Sequence, residues 1–228
     1  MSTNVFHSRF SGAEWYSEES SDIGIGGAGG IGSWLSIMLS RASNSRLHIY
    51  DFDIVEDVNL SGQLFTSENV GEKKVTAVQE NIKLFSPTSV VRTYGKFDKD
   101  SYSFPVVFSA FDNMAARKVF FEKWAAQPDR EVFIDGRLLA EQIQVFCVTP
   151  DREEEYRKHL FDDKEVESVQ CSMKQTSHFA ALIAGRMVHF YTHHLANLKE
   201  ANARPLPFYY EEMGEVFFQN VTEMEEVV

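Results

Sequence analysis

A chain of 228 residues suits one α/β unit, and 43% apolar residues with 19 phenylalanines supply a substantial core for it. A formal charge of −12 repels phosphate backbones, which argues against a nucleic-acid partner. No apolar run reaches the roughly 18 residues of a membrane span, and the amino-terminal stretch lacks the apolar segment of a secretory signal. Two cysteines, Cys147 and Cys171, make no disulfide framework, so a reducing, cytoplasmic setting is expected.

A polar arm is expected over residues 1–20. Short apolar runs then alternate with amphipathic stretches. "DIGIG" reads as a strand, "GIGSWLSIMLSRAS" as a helix and "RLHIYD" as a second strand. "GEKKVTAVQENIKLF" is helical, "SVVRTYG" and "PVVFSAF" are strands, and "MAARKVFFEKWAA" is a helix whose Val119, Phe120, Phe121 and Trp124 should pack on the sheet. "EVFID" and "QIQVFCVTP" close the series, with Cys147 read as core. This alternation predicts an α/β fold with a doubly wound, mainly parallel Rossmann-like sheet.

The pattern changes near Pro150, so residues 21–150 are read as the core and 151–228 as an extension of the same unit. "DREEEYRKHLFDDKEVESV" is expected to run over the surface. "QTSHFAALIAGRMVHFYTHHLANL" is a long helix with apolar residues, Leu182 among them, at three-to-four spacing. "PFYYEEMGEVFFQNV" reads as two strands turning at Met213–Gly214.

Six of the 13 glycines fall within Ile23–Leu35. Gly27, Gly29 and Gly32, with Gly30 between, sit where a strand meets a helix. Absent side chains there let backbone amides and a helix N-terminus approach a phosphate. Asp51, at the end of the next strand, is spaced to accept hydrogen bonds from ribose hydroxyls. Nicotinamide and flavin oxidoreductases share these features, so one alternative is a hydride-transferring enzyme.

The next segment narrows the choice. "DFDIVEDVNLSGQLFTSENVGEKK" brings Asp51, Asp53, Asn59, Gln63 and Lys74 toward the same crevice, and "FSAFDNMAAR" adds Asp112 and Asn113 at the end of another strand. A lysine beside phosphates and a carboxylate able to hold Mg²⁺ suit phosphoryl chemistry, which hydride transfer does not require.

"GAGGIGS", "DFDIVEDVNL", "GQLF…VGEKK" and "FDN…R", in this order over residues 20–150, resemble the ThiF/MoeB/HesA family, the adenylation domain of ubiquitin-activating enzymes. The resemblance implies binding of ATP with Mg²⁺, adenylation of the C-terminal carboxylate of a small ubiquitin-like or sulfur-carrier protein or peptide, and a homodimer. It implies that Gly30 belongs to the ATP-binding turn, Asp51 holds the ribose, and Asn59 lines the nucleotide site. Lys74 would contact the outer phosphates, and Asp112 with Asn113 would position Mg²⁺.

The pattern also departs from the family. Gly62 stands where relatives carry a phosphate-contacting arginine, so a nucleotide-binding module without catalysis is a second alternative. Arg137 is a candidate replacement, or else pairs with Glu141; Arg9 is a candidate for the arginine that some relatives lend across a dimer. The four zinc cysteines of relatives are absent, so no zinc is expected; His189 and His193, one helical turn apart, lack a third ligand. Cys171 lies roughly where some relatives carry a reactive thiol, with Lys174 nearby to favour thiolate; the other reading is an ordinary loop cysteine.

Overall fold

The glycine-rich strand runs through the middle of the parallel half of one sheet. The computed structural model describes residues 5–161, 176–199 and 204–222. Within them, β1 (Asp22–Gly26), α1 (Gly30–Ala42), β2 (Arg46–Tyr50), α2 (Lys74–Phe85), β3 (Val91–Tyr94), β4 (Val106–Ser109), α3 (Met114–Ala125) and β5 (Val132–Leu139) form the alternating series. The chain continues through β6 (Gln142–Val148), α4 (Glu153–Arg157), α5 (Ser177–Asn197), β7 (Tyr209–Met213) and β8 (Phe218–Thr222).

The eight strands lie in the order β3-β2-β1-β4-β5-β6-β7-β8. β1 to β5 pair in parallel, and β5 to β8 antiparallel. The fold is therefore the expected mainly parallel, Rossmann-like α/β sheet, with the last hairpin joined to the same sheet. Strand order reverses direction at β1, between β2 and β4, and a crevice beyond strand carboxyl ends at such a point is where this architecture takes ligands.

Both faces of the sheet are covered. On one, Ile23, Ile25, Leu47 and Ile49 meet Leu35 and Leu39 of α1, Val78 and Ile82 of α2, and Ile183 and Met187 of α5. On the other, Phe120, Phe121 and Trp124 of α3 pack on Phe133 and Phe146 with Tyr156 of α4. Fully burying such side chains contributes roughly 1.5–3 kcal/mol each.

Three features differ from the sequence reading. Within the described part of the charged run after Pro150, residues 151–161, one residue leaves the surface: Tyr156 is completely buried, because its ring fills the aromatic cluster while Glu153 turns back to pair with Arg130. Val119 and Leu182 are partly exposed, since each lies at the edge of its helix's apolar stripe. The described part of the amino-terminal arm, residues 5–20, is docked: His7 and Tyr16 are buried, Lys199 Nζ donates to the Tyr16 carbonyl at 2.6 Å, and Arg204 pairs with Glu14 at 2.8 Å. Cys147 is buried in β6, and that burial pushes its thiol up to about 12. No helix among the described residues is long and apolar enough to cross a membrane.

Candidate functional site

The turn after β1 is built to keep its backbone bare. Gly27 has φ +92°, a left-handed conformation that favours glycine, and its N–H donates to the Tyr50 carbonyl at 2.8 Å. A Cβ on Gly32 would lie 1.9 Å from the Gly27 carbonyl oxygen, so α1 can approach β1 this closely only without one. Gly29 precedes α1 and Gly30 opens it, both half-buried, and the first amides of the helix have no partner within it. A Cβ on Gly29 would make only an ordinary van der Waals contact, its nearest neighbour being the Gln63 amide 3.9 Å away.

Asp51 follows β2 and faces this turn. Its Oδ2 accepts from the Ala28 N–H at 2.7 Å and its Oδ1 from the Asp53 N–H at 2.8 Å. Burial raises its carboxyl above the usual aspartate value, against the pull of those two amides.

The long segment from Asp51 to Lys74 folds back on itself. Asn59 Oδ1 accepts from the Glu56 N–H at 2.9 Å and closes one tight turn, and Asn69 closes a second in the same way with Thr66. Val55 N–H donates to the Glu72 carbonyl at 2.8 Å, and Lys74 N–H to the Asp53 carbonyl at 3.0 Å. Lys74 thereby starts α2 with its ammonium 2.9 Å from Asp53 Oδ2. The Lys74 side chain is 10% exposed and that of Asp53 46%, so the pair opens to solvent on the carboxylate side. Gln63 lies over Gly29, and its Oε1 is buried without a hydrogen-bond partner among the described residues. Gly62 is buried beside it.

The third wall comes from the end of β4. Ala110 N–H donates to the Gly26 carbonyl at 2.7 Å, tying that end to the glycine turn, and the Phe111 ring fills the space beside Gly26. Asp112 is exposed, its Oδ1 accepting from Asn113 Nδ2 at 3.1 Å. Asn113 caps α3, its Oδ1 taking the Ala116 N–H at 2.8 Å. The ends of β1, β2 and β4 therefore carry the bare turn, Asp51 with the Lys74–Asp53 pair, and Asp112 with Asn113. Amides with a cation can hold a polyanion, and an exposed carboxylate can hold that anion's counter-cation.

The remaining candidates lie elsewhere. Arg137 donates through Nε to Asp135 Oδ2 at 2.7 Å, bonds the His159 carbonyl at 3.1 Å and lies 4.5 Å from the Phe146 ring centroid. Among the described residues its ion-pair partner is Asp135, not Glu141. Arg9 is exposed in the amino-terminal turn. The His189 and His193 rings are 6.3 Å apart on α5. Cys171 and Lys174 fall outside the described residues.

Asp135, Arg117 and Tyr156 form a cluster that sequence reading missed. Asp135 is fully buried; burial would raise its carboxyl, but the charges of Arg117 and Arg137, with hydrogen bonds from Arg137 and Tyr156, hold it below the usual range. Its signal in the sequence was a carboxylate ending the apolar run "VFI", a group that cannot be buried without partners.

A family model described as "ThiF family" matches residues 2–226. Ubiquitin-like modifier-activating enzyme 5 of Drosophila mojavensis is 33% identical over 72 residues, 32% of this chain and 18% of that protein. Its counterpart from Culex quinquefasciatus is 28% identical over 113 residues, 42% of this chain and 28% of that protein. The matched stretches thus span less than a third of these curated relatives. Among solved structures, E. coli MccB with ATP superposes with a TM-score of 0.67 at 13% identity, covering 90% of this chain and 64% of that one. PaaA superposes at 0.66 and 18% identity with the same coverages. At these identities the likeness is one of fold.

Proposed function

This chain belongs to the ThiF family, and on that premise we propose that it is an ATP-dependent adenylyltransferase. It activates the C-terminal carboxylate of a small ubiquitin-like or sulfur-carrier protein, or of a peptide, as an acyl-adenylate. A carboxylate oxygen forms a bond to the α-phosphorus, the bond from that phosphorus to the α,β-bridging oxygen breaks, and pyrophosphate leaves with the electron pair. The observation that carries this reading is the convergence of the bare glycine turn, Asp51, Lys74 and Asp112 at one strand-order reversal.

The residues fit a nucleoside triphosphate with its metal. The turn has no side chain where a phosphate would approach, and Gln63 Oε1 is a buried acceptor in want of a donor. Asp112 is an exposed oxygen ligand of the kind Mg²⁺ takes. A bound Mg²⁺ would neutralise phosphate charge. Asp51 would orient the sugar, Asn59 would keep its loop closed, and Asp112 with Asn113 would hold the cation. Lys74, swinging from the exposed side of Asp53, would offset charge developing on the leaving group. Adenylation is then chiefly a matter of positioning and neutralisation. Likeness to ubiquitin-like modifier-activating enzyme 5, and to E. coli MccB solved with ATP and with its partner MccA, supports a protein or peptide substrate. A cytoplasmic homodimer completes the reading.

The test is ATP–pyrophosphate exchange with candidate carriers ending in glycine. Label should enter ATP only with the right carrier, and Asp112→Ala should abolish it. Full exchange by Asp112→Ala would remove that residue from its role. Gly62, buried where relatives carry arginine, favours one rival, a nucleotide-binding module without catalysis. That rival predicts ATP binding without exchange even beside the true partner.

A further inference from the structure

The loop that presents Asp112 is held from behind by the buried charge cluster. Arg117, on α3 and 6% exposed, donates through one terminal guanidinium nitrogen to Asp135 Oδ1 and to the Gly136 carbonyl at 3.2 Å. Its other terminal nitrogen donates to the carbonyl of Phe111, the residue before Asp112. Asp135 Oδ2 meanwhile takes Arg137 Nε at 2.7 Å and the Tyr156 hydroxyl at 2.9 Å. One buried carboxylate thus anchors two arginines, and Arg117 runs from it to the crevice.

We propose that Arg117, fixed by Asp135, is a positioning residue for Asp112. By holding the Phe111 carbonyl it sets where the Asp112 carboxylate meets the cation of a metal–nucleotide complex. The inference rests on the ATP–Mg²⁺ reading above. Asp112 itself is exposed and its carboxylate is bonded to the neighbouring Asn113, so its aim depends on the backbone that carries it. Bridging a carboxylate and two carbonyls needs the rigid planar fork of arginine; a lysine ammonium supplies charge without that geometry. If Arg117 served only to neutralise Asp135, Arg137 and Tyr156 would already meet much of that need.

The test uses Mn²⁺ as the metal, followed by electron paramagnetic resonance, with ATP and the full chain. Wild type should bind ATP with EDTA present and bind Mn²⁺ once ATP is bound; if it does neither, the nucleotide reading falls before any variant is compared. Arg117→Lys should keep metal-free ATP affinity within about twofold while Mn²⁺ affinity drops about tenfold, the usual scale for losing an outer support of a metal ligand. In exchange assays the same variant should lose kcat with KM for ATP little changed. Tyr156→Phe removes a hydrogen bond from the same buried carboxylate but not from Phe111, and should melt earlier with Mn²⁺ affinity intact. In an Asp112→Asn background, Arg117→Lys should cost nothing further, because its effect passes through Asp112. Unchanged Mn²⁺ affinity in Arg117→Lys, or fully additive losses in the double variant, would overturn the proposal. Should Arg117→Lys fail to fold, Asp135→Asn carries the same test, with a smaller loss of Mn²⁺ affinity expected and the same outcomes against it.

Discussion

The Ala28 amide donates to Asp51 Oδ2 across 2.7 Å, so the acid that ends β2 also holds the glycine turn that ends β1. Asp51→Ala strands two backbone donors, those of Ala28 and Asp53. A loss of about 2 kcal/mol in stability is expected, together with loss of ATP binding. Chemical denaturation and an ATP titration read the two effects. Because burial raises the Asp51 carboxyl, ATP affinity should begin to fall on acidification above about pH 4, the ordinary aspartate value.

The glycines of the turn should separate stability from binding. Gly32→Ala sets a methyl 1.9 Å from a backbone oxygen, and Gly27→Ala adds a left-handed φ to a 2.6 Å contact with the Ala110 oxygen. Each should cost about 2–3 kcal/mol. Gly29→Ala meets only an ordinary contact with the Gln63 amide and should shift stability by about 1 kcal/mol or less. Its methyl would nevertheless stand where a phosphate must approach, so ATP affinity should drop while the melting curve barely moves. Normal affinity in Gly29→Ala would contradict the placement of the phosphates.

Lys74 gives the opposite contrast to Gly32. Its partner Asp53 is half-exposed, and such a pair contributes little, so Lys74→Ala should lower stability by about 1 kcal/mol or less. Pyrophosphate exchange should fall about a hundredfold, the usual loss when one charge-stabilising donor is removed. Exchange at the wild-type rate would strip Lys74 of its role.

Acid stability offers a check away from the crevice. Asp22 accepts from Arg46 Nε at 2.8 Å, and its Oδ1 lies 2.7 Å from Nε2 of the buried His48. The Arg46 hydrogen bond leads in holding its carboxyl well below the usual range, with His48 adding to it. A depressed folded value means stability present above the unfolded value of about 4 and lost as pH falls through the folded one. Asp22→Asn should therefore melt below wild type at pH 7, and the gap should close as pH drops under about 4. A gap that widened on acidification would contradict the assigned partners.

The alternating elements and the crevice walls were legible because they are local. Periods of two and 3.6 marked the strands and helices, and glycine, aspartate and lysine fell at strand ends where the chain order already put them. What escaped was long-range. Nothing near Tyr16 announces that Lys199 will bond its carbonyl, and the acids flanking Tyr156 concealed one ring with a full core position. Arg137 was visible as a charge near a strand end, but its preference for Asp135 follows from burial two residues back. Arg117 was visible in "FDN…R" too, yet only the folded chain joins it to Phe111.

The cluster around Asp135 sets two guanidinium charges against one carboxylate, leaving a surplus of one positive charge behind the loop that carries Asp112, in a molecule whose formal charge is −12. A polyanion approaching the crevice is thus repelled at a distance, while the surplus behind Asp112 offsets part of the repulsion from Asp51, Asp53 and Asp112 at close range. Added salt damps the far field over a Debye length of about 10 Å at 0.1 M, while the interior charge keeps its hold. Capture of nucleotide should accordingly quicken with moderate salt, the reverse of the usual behaviour for a cationic enzyme and an anionic ligand.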